Sequence, residues 1–210
     1  MNNTIFFAVD CQKDFLNPNG ALYIKDAELI KPKLKILTDY AAKHNIKVVN
    51  TADYHIADDA EISDDPDFKS TFPKHCMIAS EGSDFIDETN PKLADYNYYI
   101  TDRINVITED SILKARNIIL YKNKFDVFEG NKYTEEILNL LRPKKIAVYG
   151  IATSICVNFA IQGLLKRNYK VYAIIDAMKG LPDARCEQIF IDWVDKGTTL
   201  LTIGQLTKIF

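Results

Sequence analysis

The chain has 210 residues, 47% of them hydrophobic and 26% charged, with a formal net charge of −3. That length and composition suit one globular domain with a single large core, expected to span residues 1–210. The slight acidity speaks against the basic patch that nucleic-acid binding needs, and no run of about 18 apolar residues offers a membrane-spanning helix. No basic region precedes the apolar run Ile5 to Val9, which is too short for a signal peptide, so a cytoplasmic protein is expected. The four cysteines, Cys11, Cys76, Cys156 and Cys186, are widely spaced and contain no C-x-x-C pair, and free thiols are expected of them.

Thr4 to Val9 reads as a buried strand with Asp10 at its C-terminal end. Asn17-Pro18-Asn19-Gly20 marks a turn. Ile30, Leu34, Leu37 and Ala41 share one face of a predicted helix over Leu29 to Lys43. A second strand, Ile46 to Asn50, leads into Thr51-Ala52-Asp53-Tyr54-His55. From Ala57 to Pro91 no periodicity survives. Asp and Ser are dense, and Pro66 and Pro73 break any pattern. A loop this long in a compact domain is usually functional or disordered, and its aromatics and histidine argue for function. Strands follow at Asn97 to Thr101 and Ile118 to Lys122, with a helix within Thr108 to Asn117. Tyr133 to Leu141 is a helix stopped by Arg142-Pro143, and Ile146 to Tyr149 is a strand ended by Gly150. A helix over Val157 to Arg167, a strand over Lys170 to Ile175, a helix over Asp183 to Lys196 and a strand over Thr198 to Ile203 complete the chain.

Strands alternating with helices predict an α/β fold: a mostly parallel, doubly wound sheet covered by helices on both faces, in three α/β/α layers. In such sheets ligands bind at the carboxyl ends of strands. Asp10, Asp53, His55, Lys122 and Cys156 all fall there.

Cys156 stands where a strand turns into a helix. Unpaired N–H groups and the helix dipole at that position favour an anion, so a lowered thiol pKa and a reactive thiolate are expected. The same N–H groups can hold the oxyanion of an attacked carbonyl. A buried structural cysteine is the alternative. Asp10 and Lys122 at neighbouring strand ends favour the reactive reading. An aspartate can take the thiol proton and return it to a departing amine, and a lysine draws the thiol towards its anion.

The irregular loop adds metal-ligand types. Asp53-x-His55 is followed by Glu61 and then His75. Histidine with carboxylate suits one divalent ion, zinc foremost, with manganese or iron as alternatives. Asp58, Asp59, Asp64, Asp65 and Asp67 read as a solvated charge cluster, any member of which could support a ligand from behind. Cys76 is a weaker ligand candidate. His44 reads as structural or exposed and Cys186 as core, and Cys11 should face away from Asp10 if the strand continues. Among Phe15, Phe72, Phe125 and Phe128, only Phe15 and Phe72 adjoin these motifs, which makes them the candidate walls for a flat ring.

Taken together these segments resemble the isochorismatase-like cysteine hydrolases, and within them the nicotinamidase/pyrazinamidase branch. Ala8-Val9-Asp10-Cys11-Gln12-Lys13-Asp14-Phe15 is similar to the family's opening motif, which implies Asp10 as catalytic acid/base. Gly150-Ile151-Ala152-Thr153-Ser154-Ile155-Cys156-Val157 resembles its nucleophile turn, implying a cis peptide between Ile151 and Ala152 and an oxyanion hole at the N–H groups of Ala152 and Cys156. Lys122-Asn123-Lys124-Phe125-Asp126-Val127-Phe128 resembles the lysine motif with Asp126 in place of the usual Ser, and its spacing selects Lys122 over Lys124. Asp53, His55, Glu61 and His75 resemble the branch's metal set, while Ile78-Ala79-Ser80-Glu81-Gly82 departs from the usual Gly-Thr-x-Gly.

The resemblance implies hydrolysis of nicotinamide to nicotinate and ammonia through a thioester on Cys156, with the ring between Phe15 and Phe72 and its nitrogen on the metal. Another small amide or an N-carbamoyl compound is the alternative substrate. A non-enzymatic scaffold is disfavoured because both nucleophile and base are present. A small-molecule substrate is thus the expected partner, with no nucleic acid and no membrane. The edge helix over 183–196 offers a surface on which a homo-oligomer could form.

Overall fold

A computed structural model describes residues 3–92, 95–101, 107–181, 186–206 and 208–209. Seven strands form one parallel sheet: β1 (Thr4–Val9), β2 (Lys47–Asp53), β3 (Asn97–Ile100), β4 (Asn117–Lys122), β5 (Lys145–Ile151), β6 (Val171–Lys179) and β7 (Thr199–Leu201), in the order β3-β4-β2-β1-β5-β6-β7. The helices are α1 (Lys13–Leu16), α2 (Lys31–Lys43), α3 (Glu109–Lys114), α4 (Val127–Gly130), α5 (Thr134–Leu141), α6 (Cys156–Lys166), α7 (Cys186–Asp195) and α8 (Ile203–Leu206), with short 3-10 turns at Ala27–Ile30 and Glu81–Ser83.

The layering follows from the period-2 alternation of β1. Phe6 and Ala8 face a core completed by Leu34, Leu37 and Ala41 of α2 and Leu206 of α8. Ile5, Phe7 and Val9 face the opposite core, built from Ile112 of α3, Ile137 of α5, Ile161 of α6 and Trp193 of α7. The sheet is therefore the middle layer of three, as expected from the alternation of elements.

The chain leaves β1 towards β2 on one side and returns to pair β5 on the other. Connections that diverge in this way open a crevice at the carboxyl ends of the central strands. Gly150 makes the close approach of β5 to β1 possible. Its φ is +120°, and a Cβ there would lie 2.1 Å from the Val9 carbonyl oxygen.

Several expected boundaries move for local reasons. The α-helix begins at Lys31 rather than Leu29, after the 3-10 turn, because Pro32 lacks an N–H and fits only the first helical turn. β2 runs on to Asp53 and β6 to Lys179, longer than their apolar cores, because parallel neighbours continue the ladder. Ile203 opens a short helix instead of ending a strand, its N–H donating to Asp176 Oδ1 at 3.0 Å. The expected start of the helix at Asp183 lies outside the described residues, and α7 is described from Cys186.

The loop from 57 to 91 contains only the Glu81–Ser83 turn but is pinned by backbone bonds. His55 N–H donates to the Cys76 carbonyl at 3.1 Å and Ile78 N–H to the His55 carbonyl at 2.9 Å, which folds the loop back onto the end of β2. Ala79, where the resembling pattern has Gly, adopts the left-handed φ of +61° that glycine favours. Ser80 Oγ accepts from Ser83 N–H at 3.3 Å, and a Cβ on Gly82 would collide with the Asp14 carboxylate. The unusual sequence thus keeps a turn of the glycine kind.

Candidate active site

The ammonium of Lys122 is the hub of the sheet edge. Lys122 is the last residue of β4 and pairs in register with Asp53, the last residue of β2. Asp10 follows β1, and its φ of +48° swings the chain out of the strand. Cys156 is the first residue of α6. Lys122 Nζ lies 2.9 Å from Asp10 Oδ2 and 3.6 Å from Cys156 Sγ, and it donates a short hydrogen bond to Asp53 Oδ1. All four side chains are buried. Two carboxylates beside one ammonium leave a net negative cluster, and a buried charge survives only with such partners.

The protonation pattern follows from this packing. Burial pushes the Cys156 thiol well above its ordinary range. Lys122 works against that shift, and the Asp10 charge adds to it. The lowered thiol pKa expected at the helix start is therefore not what the free site shows, because desolvation of Sγ outweighs the dipole and the lysine. Burial also raises Asp10 despite Lys122, which makes it a stronger base than an ordinary carboxylate. Burial acts on Asp53 in the same sense, but Lys122 and the two histidines outweigh it and hold Asp53 below the usual carboxylate range. Lys122 is penalised by burial, yet Asp10 and Asp53 keep it charged.

Asp10 is oriented for proton exchange. Its Oδ1 accepts from the Thr51 hydroxyl at 2.5 Å, and its N–H donates to the Thr51 carbonyl at 3.1 Å. Oδ2 is ion-paired with Lys122 but receives no aligned hydrogen bond. The Cys156 thiol accepts from Lys122 Nζ at 3.6 Å, and an Asp10 carboxylate oxygen lies within 4.8 Å of Sγ. In the turn before Cys156 the Ile151–Ala152 peptide is cis, as the resemblance implies. Among the described residues neither the Ala152 N–H nor the Cys156 N–H donates a hydrogen bond. Two unspent donors beside a thiol are what a tetrahedral oxyanion requires.

Behind Asp53 lies a second cluster. Asp53, His55 and His75 bring ligand atoms within 4.8 Å of one another. Asp53 Oδ2 stands 3.9 Å from His55 Nε2 and 3.7 Å from His75 Nε2. Two atoms each about 2.1 Å from one ion are about 3.4 Å apart in a tetrahedral arrangement and at most about 4.2 Å apart. His55 Nε2 is buried with no hydrogen-bond partner, and the Nδ1 atoms are engaged elsewhere, with Asp59 Oδ2 at 3.1 Å and the Pro73 carbonyl at 2.7 Å. An orphaned ring nitrogen facing a carboxylate and a second imidazole fits a divalent cation.

Glu61 lies outside the three residues whose ligand atoms come within 4.8 Å of one another. Its Oε1 accepts the Phe125 N–H at 2.8 Å, while Oε2 is buried without a partner. Burial pushes its carboxyl up to about 7. Cys76 contributes its N–H to Asp14 Oδ2 at 2.6 Å, and its thiol points to the Gly82 carbonyl, not to the cluster. Cys11 is buried in the α2-side core, and Cys186 is only half-buried on α7 rather than core.

A pocket of about 490 Å³, counting its open mouth, leads to Cys156. That size suits a small molecule. Asp10, Asp53, His75 and Cys156 form its polar floor, and Phe15 and Phe72 line it as expected. Phe125, which the sequence leaves as core, also lines it. Its ring lies 5.7 Å from that of Phe72 at an interplanar angle of 85°. A larger pocket beside β4, walled by Tyr54, Tyr121 and Asn123, contains neither the thiol nor the histidines.

Gln12 carries a role that its place in the opening motif does not reveal. Its side chain donates to the Asp53 carbonyl at 2.7 Å and accepts the Asp53 N–H at 2.7 Å, which fixes the residue shared by both clusters. A buried amide placed two residues after a strand-end aspartate was the available signal. Asp126, the departure in the lysine motif, caps α4 by accepting from Phe128 N–H at 2.9 Å, a role the usual Ser could also fill.

The chain is 27% identical over 177 residues to a nicotinamidase/pyrazinamidase of Mycobacterium tuberculosis, an alignment that covers 82% of this chain and 84% of that protein. Its fold is similar to that of a pyrazinamidase of Pyrococcus horikoshii in complex with zinc, with a TM-score of 0.73 and 22% identity over 96% of this chain and 99% of that one. It is also similar to that of an N-carbamoylsarcosine amidase from Thermoplasma acidophilum, with a TM-score of 0.70 and 22% identity over 95% of each chain. The profile of the isochorismatase domain matches residues 4–205, and with that match over nearly its whole length the chain belongs to the isochorismatase family of hydrolases.

Proposed function

We propose that the protein is a metal-containing cysteine amidohydrolase that converts nicotinamide, or a close heteroaromatic amide, to the carboxylic acid and ammonia. One observation carries the reading: Asp53 gives one oxygen to the Lys122 ammonium beside Cys156 and turns the other to the imidazoles of His55 and His75. The nucleophile and the cation cluster therefore share one pocket. The activities for which the Mycobacterium tuberculosis and Pyrococcus horikoshii relatives are named support the same reading.

In this mechanism the resting thiol of Cys156 loses its proton to Asp10 as Sγ attacks the amide carbon. Lys122 balances the negative charge that develops on sulfur. The carbonyl oxygen, now an oxyanion, takes the N–H groups of Ala152 and Cys156. Asp10 then returns the proton to the leaving nitrogen, the C–N bond breaks and ammonia departs, leaving a thioester on Cys156. Water, deprotonated by Asp10, attacks the thioester, the C–S bond breaks, Asp10 returns the proton to Sγ and the acid is released. Phe15, Phe72 and Phe125 hold the ring and exclude bulk water. Asp53, His55 and His75 are the groups that would hold the metal, zinc foremost, with Glu61 as the fourth candidate through its unpartnered Oε2. A divalent ion held there supplies a Lewis-acid contact for a ring nitrogen.

The alternative substrate, an N-carbamoyl acid, is favoured by the likeness to the Thermoplasma acidophilum amidase. Such a substrate carries a carboxylate that needs a cation at the pocket wall. Among the described residues, the walls include Leu22, Tyr23, Ile24, Ile155 and Leu181 beside the three phenylalanines, an apolar lining that suits an uncharged ring. We therefore favour a neutral aromatic amide, handled by one catalytic domain spanning the chain. The buried, unpaired Cys11, Cys76 and Cys156 suit a reducing cytoplasm. The test is ammonia release from nicotinamide, benzamide and an N-carbamoyl amino acid, with Cys156→Ala as the control. Nicotinamide should be the preferred substrate and the variant inactive. An unaffected Cys156→Ala protein overturns the mechanism, and a preference for the N-carbamoyl acid overturns the substrate.

A further inference from the structure

We propose that Asp59 is the positioning residue of the metal centre, fixing the tautomer and ring plane of His55 and tying them to the catalytic lysine strand. The inference rests on the metal reading above. Asp59 lies in the acidic stretch that the sequence marks as solvated surface, yet its side chain is only 11% exposed. Oδ2 faces His55 Nδ1 at 3.1 Å and accepts the Ile56 N–H at 2.9 Å. Oδ1 accepts from Asn123 Nδ2 at 3.3 Å, and Asn123 directly follows Lys122.

The chemistry selects one tautomer. A carboxylate oxygen only accepts, so His55 Nδ1 must carry the proton. The neutral ring then presents an unprotonated Nε2 with its lone pair towards Asp53 Oδ2 and His75 Nε2. The opposite tautomer would set a bare Nδ1 against an anionic oxygen. It would also aim an Nε2–H at an acceptor 3.9 Å away, too far for a hydrogen bond. His75 is held differently, by the neutral Pro73 carbonyl. Of the two imidazoles, His55 is therefore the one with an anionic support. The contacts also close a ring: His55 to Asp59, Asp59 to Asn123, along the chain to Lys122, and from Lys122 to Asp53. A ligand held in such a circuit is preorganised relative to the thiol as well as to the ion.

The experiment measures zinc affinity of the purified full-length apoprotein by competition with a chromophoric chelator. Wild type, Asp59→Ala, Asp59→Asn and Asp58→Asn are compared, and apoprotein melting is recorded for each. Removing such an outer partner weakens metal binding by about 10–100-fold. That loss is expected for Asp59→Ala at an apoprotein melting temperature close to wild type. Asp59→Asn, which keeps an acceptor oxygen but not the charge, should fall between the two. Asp58, the exposed neighbour, should change nothing. Wild-type zinc affinity in a folded Asp59→Ala protein overturns the proposal. If that variant does not fold, wild-type affinity in Asp59→Asn overturns it equally. A wild-type protein that binds no zinc refutes the metal reading itself, a result distinct from either of these.

Discussion

Replacing Lys122 by methionine isolates the electrostatics on which the site depends. The side chain is 1% exposed, and its ammonium is the cation that Asp10 and Asp53 share. Methionine fills similar volume without charge, so the main effect is to leave two buried carboxylates facing each other. Removing one partner of a buried ion pair costs about 3–5 kcal/mol. For a domain of this size each kcal/mol lowers the melting temperature by about 2–4 °C, so a drop of about 6–20 °C is expected. The sign of the pH dependence is fixed. In the variant, burial and mutual repulsion raise the carboxylates above their unfolded values, so the folded state binds a proton that the unfolded chain has released. The penalty is absent below the unfolded carboxylate pKa of about 3.9 and grows as pH rises through the raised folded value. The assay is a thermal melt of chelator-treated wild type and variant at about pH 5 and about pH 8, so that no divalent ion substitutes for the ammonium. A variant that melts within about 2 °C of wild type at the higher pH refutes the reasoning, as does a deficit that does not shrink at the lower one.

Other outcomes follow from single contacts. Cys156→Ser, with an oxygen that is a far weaker nucleophile in this setting, should lose at least about 100-fold in kcat while still binding nicotinate, as checked by single-turnover ammonia release and calorimetry. Gln12→Ala leaves the buried N–H and C=O of Asp53 unpaired at about 1–3 kcal/mol each, so a lower melting temperature with weaker zinc binding is expected. Gly150→Ala sets a Cβ 2.1 Å from the Val9 carbonyl at a φ of +120° and should abolish soluble folded protein, read by expression and circular dichroism. Asp67 accepts backbone N–H groups from Lys69, Ser70 and Thr71, and these bonds with the Ser70 hydroxyl hold its carboxyl below the ordinary range. The turn it organises is therefore stabilised above the ordinary aspartate pKa and loosens as pH falls below it. Hydrogen exchange at 68–72 should speed up in acid and in Asp67→Ala at neutral pH.

The sequence alone determined the sheet and the ends of its central strands. Apolar β-branched runs separated by amphipathic helices admit one architecture, and Asp10, Lys122 and Cys156 fall at strand ends because polarity begins where burial stops. It also placed Asp53 and His55 together, since two residues of chain keep them close in any conformation. Tertiary structure alone decided the rest. His75 reaches His55 only because the irregular loop folds back on β2, a closure carried by backbone hydrogen bonds that leave no side-chain pattern. The same folding buries Asp59, a residue that reads as surface, against an imidazole. It turns Phe125 into the pocket and sets one oxygen of Glu61 on the Phe125 N–H. The charge state of Cys156 was beyond the sequence for a related reason. A helix start and a nearby lysine are local and legible, and both favour thiolate. The desolvation that overrides them is a sum over every element packed around Sγ, and it exists only once the chain has folded.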